Sequence, residues 1–226
     1  ETPVKKSIPF LLLALPFALP AGAAAQQQDV TYATYITEDI WQKVNELPGV
    51  DRQIVSRDIG KLNLAVGIVH RGSTRQQQGR GGGGGGRGGA APQIPEDQRC
   101  GVTSGGPDSG AGGIMHLHQT ETYIIVSGSG TLVTGGEILN GRLSSPESSV
   151  TTTLNGPSCS GQIVGDWVAK HVSEGDIVII PAGTPHGWLD VPVGVDYLSV
   201  RPDPDRVLAD DYVNPEVADE LEIETR

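Results

Sequence analysis

Short apolar stretches separated by glycine and proline fill the second half of this chain and most constrain its fold. Residues 114–133, 166–172, 177–180, 186–190 and 195–201 have the β-branched or alternating pattern of strands. The first stretch contains Gly-Ser-Gly, which predicts a turn between two strands, and a long Gly/Ser/Thr-rich connection follows it. Strands at such short spacing are typical of an all-β sandwich or barrel.

One further strand and a short helix precede this region. Residues on one face of the strand alternate with the others: Leu62, Leu64, Val66, Ile68 and His70. His70 is therefore a candidate to line the barrel interior, with an exposed strand end as the alternative. Before it, Thr37 as N-cap, a narrow apolar stripe and a stop at Pro48 predict a short helix against the outside of a sheet.

The first 25 residues have the layout of a secretory signal peptide. Two lysines are followed by a mostly apolar stretch and then by small residues. The apolar stretch is shorter than the ~20 residues that span a bilayer, and prolines interrupt it. We therefore expect a secreted or periplasmic protein without stable membrane insertion after cleavage, and a permanent anchor is the alternative.

Composition divides the remainder of the chain. Residues 26–59 are predicted to form an N-terminal extension with the helix, 60–202 the barrel, and 203–226 an acidic tail. Residues 72–98 are rich in glutamine, glycine and arginine and contain little that is apolar. Glycine loses the most conformational freedom on ordering, so this segment is predicted to be a disordered insertion within the barrel.

The charge balance excludes one class of partner. The chain has 16 basic and 27 acidic residues, a formal net charge of −11. An acidic surface repels phosphate backbones, and nucleic-acid binding needs a basic footprint. The sequence therefore predicts no nucleic-acid partner and leaves a small-molecule or saccharide substrate.

Two cysteines, Cys100 and Cys159, lie in Gly/Ser/Pro-rich surroundings. In an exported protein, an even number of cysteines indicates a disulfide. Two free thiols and metal ligation are the alternatives, although neither cysteine has a second cysteine or a histidine beside it at ligand spacing.

Three histidines and one carboxylate form the candidate metal site. His116 and His118 are two residues apart on a predicted strand, so both should point to one face, and His186 follows the strand at 177–180. Glu121 completes the set. Imidazole and carboxylate suit a divalent transition metal better than calcium or magnesium, which prefer all-oxygen shells.

Glu121 is the least regular member of this set. It lies three residues after His118, an odd step, so a bulge or bend must return it to the histidine face. Gln119 is an alternative oxygen ligand. Glu121 is also a candidate base, and Tyr123 and Trp188 are candidates to line the cavity, with simple packing as the alternative for each.

The two histidine segments resemble the two signature motifs of the cupin superfamily. The first motif is matched by Gly110, His116, His118, Glu121 and Gly128, with two residues instead of three or four between His118 and Glu121. The second is matched by Gly175, Pro181, Gly183 and His186, with Asp190 where asparagine is usual. A similar shortened first motif occurs in the cupin domain of type II phosphomannose isomerases.

The resemblance implies a cupin-type jelly-roll β-barrel, or double-stranded β-helix, which holds one divalent metal ion and usually forms homodimers. Manganese, iron, nickel, copper and zinc all accept these ligands. The leading functional hypothesis is an exported metal-dependent oxidoreductase of dioxygenase or oxidase type. The alternatives are a metal-dependent sugar lyase or isomerase and a non-catalytic carbohydrate- or metal-binding module of the cell envelope.

Overall fold

The computed structural model describes residues 33–74 and 94–221. The predicted signal peptide and most of the predicted insertion lie outside these ranges. In the described ranges the strands are β1 (Asp51–Asp58), β2 (Asn63–Gly72), β3 (Arg99–Cys100), β4 (Asp108–His116), β5 (Glu121–Leu143), β6 (Ser158–Ser173), β7 (Ile177–Ile180), β8 (His186–Asp190) and β9 (Gly194–Asp203). The α-helices are α1 (Glu38–Asn45) and α2 (Ala218–Leu221), and shorter helical turns span Glu96–Gln98, Val150–Leu154 and Pro215–Val217.

The long strand β5 belongs to two antiparallel sheets. Its first part pairs with β7 and β9, which extends the first sheet to β2 and β1. Its second part pairs with β6 on one side and with β8 on the other. Strand β4 pairs with both β6 and β8, which closes the second sheet. The expected all-β jelly-roll barrel with a short N-terminal helix is confirmed.

The predicted Gly-Ser-Gly turn is a bend inside β5. Gly128 has a φ of +71°, and a Cβ there would lie 2.1 Å from the Gly194 carbonyl oxygen. This bend passes the strand from the first sheet to the second without reversing it. The prediction of a turn is therefore wrong, and so is the predicted connection at 135–165, because β5 continues to Leu143 and β6 begins at Ser158.

Three apolar clusters stabilise this arrangement. The first fills the barrel interior: Val69, Tyr123, Ile125, Leu132, Val172, Ile180, Val191, Val195 and Tyr197. The second joins α1 and the C-terminal segment to the outside of the first sheet: Ile40, Val44, Ile54, Val55, Ile68, Val217 and Leu221. The third lies near β3 in the second sheet: Ala111, Val133, Ile138, Cys159 and Ile163.

The helix α1 lies against the outside of a sheet, as the narrow apolar stripe predicts. Ile40 and Val44 are buried one turn apart, and Glu38 and Asp39 occupy the first turn, where the helix dipole favours negative charge. Thr37 precedes the helix with extended backbone, but its side chain makes no capping hydrogen bond. The sheet beneath α1 begins at Asp51, ahead of the predicted start of the barrel at residue 60.

The face of β2 that carries His70 is the one covered by α1. Val66 and Ile68 pack into the cluster beneath the helix, whereas Val69 faces the barrel interior. His70 therefore does not line the interior. Its side chain is 50% exposed, and its Nδ1 lies 2.6 Å from Asp196 Oδ1. The alternation was predicted correctly, but which of the two faces lies inside depends on what packs against the strand.

The predicted disulfide between Cys100 and Cys159 is confirmed, with Cα atoms 6.0 Å apart and 59 residues of separation in the sequence. It joins β3 to the start of β6. Closing a loop of this length stabilises a fold by roughly 4 kcal/mol in the chain-entropy model. Among the described helices, none is long and apolar enough to cross a membrane.

Candidate metal centre

His116, Glu121 and His186 meet inside the barrel. The Nε2 atom of His116 lies 3.1 Å from Glu121 Oε2, and that of His186 lies 3.2 Å from the same oxygen. All three side chains are buried, with at most 4% of their surface exposed. One ligand atom from each lies within 4.8 Å of the others, so a single ion could contact all three residues.

Strand ends place these three residues. His116 is the last residue of β4, Glu121 the first of β5, and His186 the first of β8. Ile114 pairs with His186 across the two strands, and the Gly183 N–H donates to the His116 carbonyl at 2.8 Å. The second sequence motif is thus hydrogen-bonded directly to the first.

The chain between His116 and Glu121 explains how a shortened motif forms a site. Residues 117–120 lie outside the strands, so Glu121 begins a new strand and does not need a bulge to reverse its direction. Glu121, Tyr123 and Ile125 are all buried, which is the shared inward face that the sequence predicts if Glu121 turns inward.

His118 does not lie with His116, Glu121 and His186. Its side chain is 47% exposed, and its Nδ1 lies 2.6 Å from Asp205 Oδ2. The prediction that His116 and His118 share a face rested on strand alternation. It is wrong because β4 ends at His116 and His118 lies in the following loop.

Gln119 is buried, but it is not among the residues that line the cavities around the site. Its amide nitrogen lies 3.8 Å from where a Cβ on Gly156 would be. Neither amide atom of Gln119 has a hydrogen-bond partner among the described residues.

Hydrogen bonds fix which ring nitrogen of each histidine carries its proton. His116 Nδ1 lies 2.8 Å from Ser158 Oγ, whose own proton goes to the Gly156 carbonyl at 2.9 Å. His186 Nδ1 lies 3.0 Å from the Thr184 carbonyl oxygen. In both rings Nδ1 must therefore donate, and the neutral ring presents an Nε2 lone pair.

Two lone pairs then face a carboxylate oxygen. Burial lowers the pKa of His116 despite its contact with Glu121, so its ring is neutral at neutral pH. His186 Nε2 has no well-formed hydrogen bond within the described residues. Acceptors that converge in a buried space repel one another unless a cation lies between them. The donor set of two imidazoles and one carboxylate therefore fits a divalent transition metal.

The second oxygen of Glu121 is held by three donors. Oε1 accepts hydrogen bonds from Asn155 Nδ2 at 3.0 Å, Ser199 Oγ at 2.8 Å and Arg201 Nε at 2.9 Å. Burial alone would raise the pKa of Glu121, but its contacts with the His116 and His186 rings and the charge of Arg201 hold it well below its usual range. Glu121 is therefore a carboxylate with Oε2 presented to the histidines.

Arg201 is fully buried and connects the site to β1. It donates from Nη2 to Asp51 Oδ2 at 2.6 Å and from Nη1 to Gln53 Oε1 at 3.1 Å. Gly67 leaves room for it, because a Cβ there would lie 3.0 Å from Arg201 Nη1. In the sequence, Ser199 and Arg201 follow Tyr197 at two-residue spacing in β9. Two polar residues on a strand face that otherwise points inward were the sequence signal that could have identified Ser199 and Arg201 as part of the site.

Two cavities of about 410 and 360 Å³ adjoin the site and share Arg71, Ile114, Tyr123 and His186 in their walls. Trp188 lines the larger cavity, and His116 and Glu121 line the smaller one. Tyr123 donates its hydroxyl proton to Glu121 Oε2 at 3.1 Å. Burial raises the pKa of Tyr123 well above its usual value, so the phenol keeps that proton.

No family model and no curated protein matches this chain. Among solved structures, it is similar to an uncharacterised protein with a double-stranded β-helix domain from Klebsiella pneumoniae, at 15% identity over 77% of this chain and 93% of that one, with a TM-score of 0.36. An oxalate oxidase in complex with glycolate matches at 12% identity, 70% and 54% coverage and a TM-score of 0.29. The Drosophila melanogaster CENP-C cupin domain matches at 9% identity, 75% and 84% coverage and a TM-score of 0.28.

These likenesses concern the fold alone. Nothing about the chemistry of this chain follows from them, and its chemistry has to be argued from its own residues.

Proposed function

We propose that this chain is an exported metal-dependent oxidoreductase, of dioxygenase or oxidase type, that acts on a small organic or saccharide substrate. The observation that supports it best is the buried meeting of two imidazole Nε2 atoms with one carboxylate oxygen beside a cavity. A ligand set of two histidines and one carboxylate with open positions is typical of non-haem iron oxygenases. Export is supported by the Cys100–Cys159 disulfide, since such bonds persist in oxidising compartments.

The revised ligand set favours this chemistry more than the sequence did. Three protein ligands leave more open positions on an octahedral ion than the four ligands that the sequence predicts. A bound metal would supply those positions to dioxygen and substrate. Manganese, iron, nickel, copper and zinc remain the candidates, because imidazole and carboxylate suit all of them.

The chain's own residues prepare the site before any substrate arrives. Ser158 and the Thr184 carbonyl orient the two imidazoles, and Arg201 holds Glu121 through the oxygen that faces away from the histidines. Tyr123 keeps a proton next to Glu121 Oε2, at the wall shared by both cavities. Held this firmly, Glu121 is better suited to orient a metal than to leave it and act as a base.

Metal content and oxygen uptake test the proposal. The wild-type chain should bind about one metal ion, and His116→Ala and His186→Ala should lose it. His118→Ala is the matched control, because His118 is exposed and should not be needed for metal binding. Oxygen uptake should follow when phenols, keto acids and saccharides are offered to protein loaded with each redox-active metal. Metal binding without uptake for any of them would favour the lyase, isomerase or binding-module alternatives.

We also propose the homodimer that the family resemblance implies. Ile177 and Ile179 are 65% and 69% exposed on β7, which pairs only with β5 among the described strands. Exposed apolar residues on an edge strand are suited to contact a second copy. Ile179→Lys should shift the sedimentation profile towards monomer, whereas an unchanged profile would exclude β7 as the interface.

A further inference from the structure

Arg71 is an exposed residue of β2 that lines the two cavities beside the candidate metal centre. It lies two residues after Val69 on β2, so its side chain starts from the inward face of the strand. Arg71 and Tyr123 line both cavities, and Tyr197 lines the smaller one. Since the Tyr123 hydroxyl contacts Glu121, Arg71 shares its cavities with a residue that contacts a candidate ligand.

Arg71 differs from the fully buried Arg201 in having no carboxylate at ion-pairing distance among the described residues. Arg201 pairs with both Glu121 and Asp51. Within residues 33–74 and 94–221, no carboxylate lies within ion-pairing distance of Arg71. In a chain with a net charge of −11, a cation that lines two cavities without an ionic partner is a candidate to bind an anion.

The fixed charges around the site lead to the same conclusion. Arg201 and Arg71 carry positive charge, Glu121 and Asp51 carry negative charge, and these four cancel. A divalent metal bound at this site would therefore leave the cavity with a positive excess. A ligand that carries negative charge would offset this excess.

We propose that Arg71 binds the carboxylate of a small organic acid, whose remaining atoms lie along the apolar wall formed by Ile114, Trp188 and Val191. The planar guanidinium matches a carboxylate with two parallel hydrogen bonds. A cavity of about 410 Å³ is in the range of small-molecule sites. This inference names a substrate class for the proposed oxidoreductase and rests on that function only for the catalytic use of the ligand.

Calorimetric titration with formate, acetate and benzoate tests the assignment, on metal-free and on zinc-loaded protein. At least one acid should bind the wild type, and Arg71→Gln should weaken that binding about tenfold or more, as expected for the loss of charge-assisted hydrogen bonds. Arg142→Gln removes the same charge from an exposed position in β5 and should leave binding unchanged. Arg71→Lys keeps the positive charge but lacks the planar guanidinium that makes two parallel hydrogen bonds, so it should recover part of the affinity.

Benzamide provides the matched uncharged ligand. Its affinity should not differ between the wild type and Arg71→Gln. Equal binding of the acids to both proteins, or no binding of any of the three up to about 50 mM, would overturn the proposal.

Metal content measured on the same samples separates this inference from the proposed function. If the chain holds no metal but acids bind in an Arg71-dependent manner, the metal centre fails and the anion site stands. If metal is bound at His116 and His186 but the acids bind the wild type and Arg71→Gln equally well, the anion site fails and the metal centre stands.

Discussion

The two buried histidines of this protein and two of its surface histidines lie against carboxylates, but they do so through different ring nitrogens. His70 and His118 present Nδ1 to Asp196 and Asp205, each at 2.6 Å, on half-exposed side chains. His116 and His186 instead present Nε2 to Glu121. Their Nδ1 protons are already used by Ser158 and by the Thr184 carbonyl.

The difference separates an ordinary ion pair from a ligand site. At the surface, water screens the pair, so each pair stabilises the fold by about 1 kcal/mol or less. Inside the barrel, burial disfavours protonation of His116, and the orientation of both rings leaves lone pairs where a cation would bind. A short distance between histidine and carboxylate is therefore not enough to assign a role.

The largest expected effect comes from removing the charge that holds the buried carboxylate. Arg201→Ala leaves Glu121 and Asp51 without their cation and should lower the free energy of unfolding by about 3–5 kcal/mol. Urea denaturation measures the loss. Arg206→Ala breaks pairs with Asp58 and Asp210 at the surface and should cost much less. Equal losses would show that the buried network is no more important than a surface pair.

The second-largest expected effect is a loss of metal affinity when the His116 ring is no longer held in its orientation. Ser158→Ala removes the acceptor for the Nδ1 proton and should lower metal affinity about 10–100-fold with little change in the fold. Competition with a metal-binding dye measures this affinity. Ser173→Ala, at the exposed far end of the same strand, is the control. An unchanged affinity in Ser158→Ala would show that ring orientation does not depend on this hydrogen bond.

The stability of the metal-free protein should depend on pH through two buried residues, His116 and Glu121. The pKa of His116 is lowered from 6.5 in the folded chain, so the unfolded chain takes up its proton first and stability falls as pH falls below 6.5. The pKa of Glu121 is lowered from 4.5, so its contribution is complete above 4.5 and is lost as pH falls through the folded value. Urea midpoints measured from about pH 8 to about pH 2 should decline in two stages, the second of them below pH 4.5.

The first stage should be absent in His116→Gln and retained in His118→Ala. A decline near pH 6.5 that survives in His116→Gln would assign the titration to another group.

Sequence reasoning succeeded where chemistry is encoded locally. His116, Glu121 and His186 were predicted from their residue types and motif spacing, and the disulfide followed from an even cysteine count in a chain predicted to be exported. His118 was misplaced because alternation applies only within a strand, and nothing in the residues marks the end of β4 at His116.

The residues that hold the site come from distant parts of the chain. Ser158 lies opposite His116 through the pairing of β4 with β6, and Asn155 reaches Glu121 from the loop before β6. Arg201 lies 80 residues from Glu121. Such contacts depend on strand register, which a single sequence does not specify.

The smallest expected effect belongs to the surface pair that the sequence placed in the metal site. His118→Ala should change the free energy of unfolding by about 0.5 kcal/mol or less, because the pair with Asp205 is half-exposed. Thermal and urea unfolding measure this change. A loss as large as that in Arg201→Ala would contradict the surface role of His118.

X-ray absorption spectroscopy of the metal-loaded protein tests the central claim most directly, because it counts imidazole ligands. Comparison of the wild type with His118→Ala makes the count specific. The account predicts two imidazoles in both proteins, contributed by His116 and His186, with further oxygen ligands that include Glu121. Three imidazoles in the wild type that fall to two in His118→Ala would contradict it, and so would a wild-type protein that binds no metal.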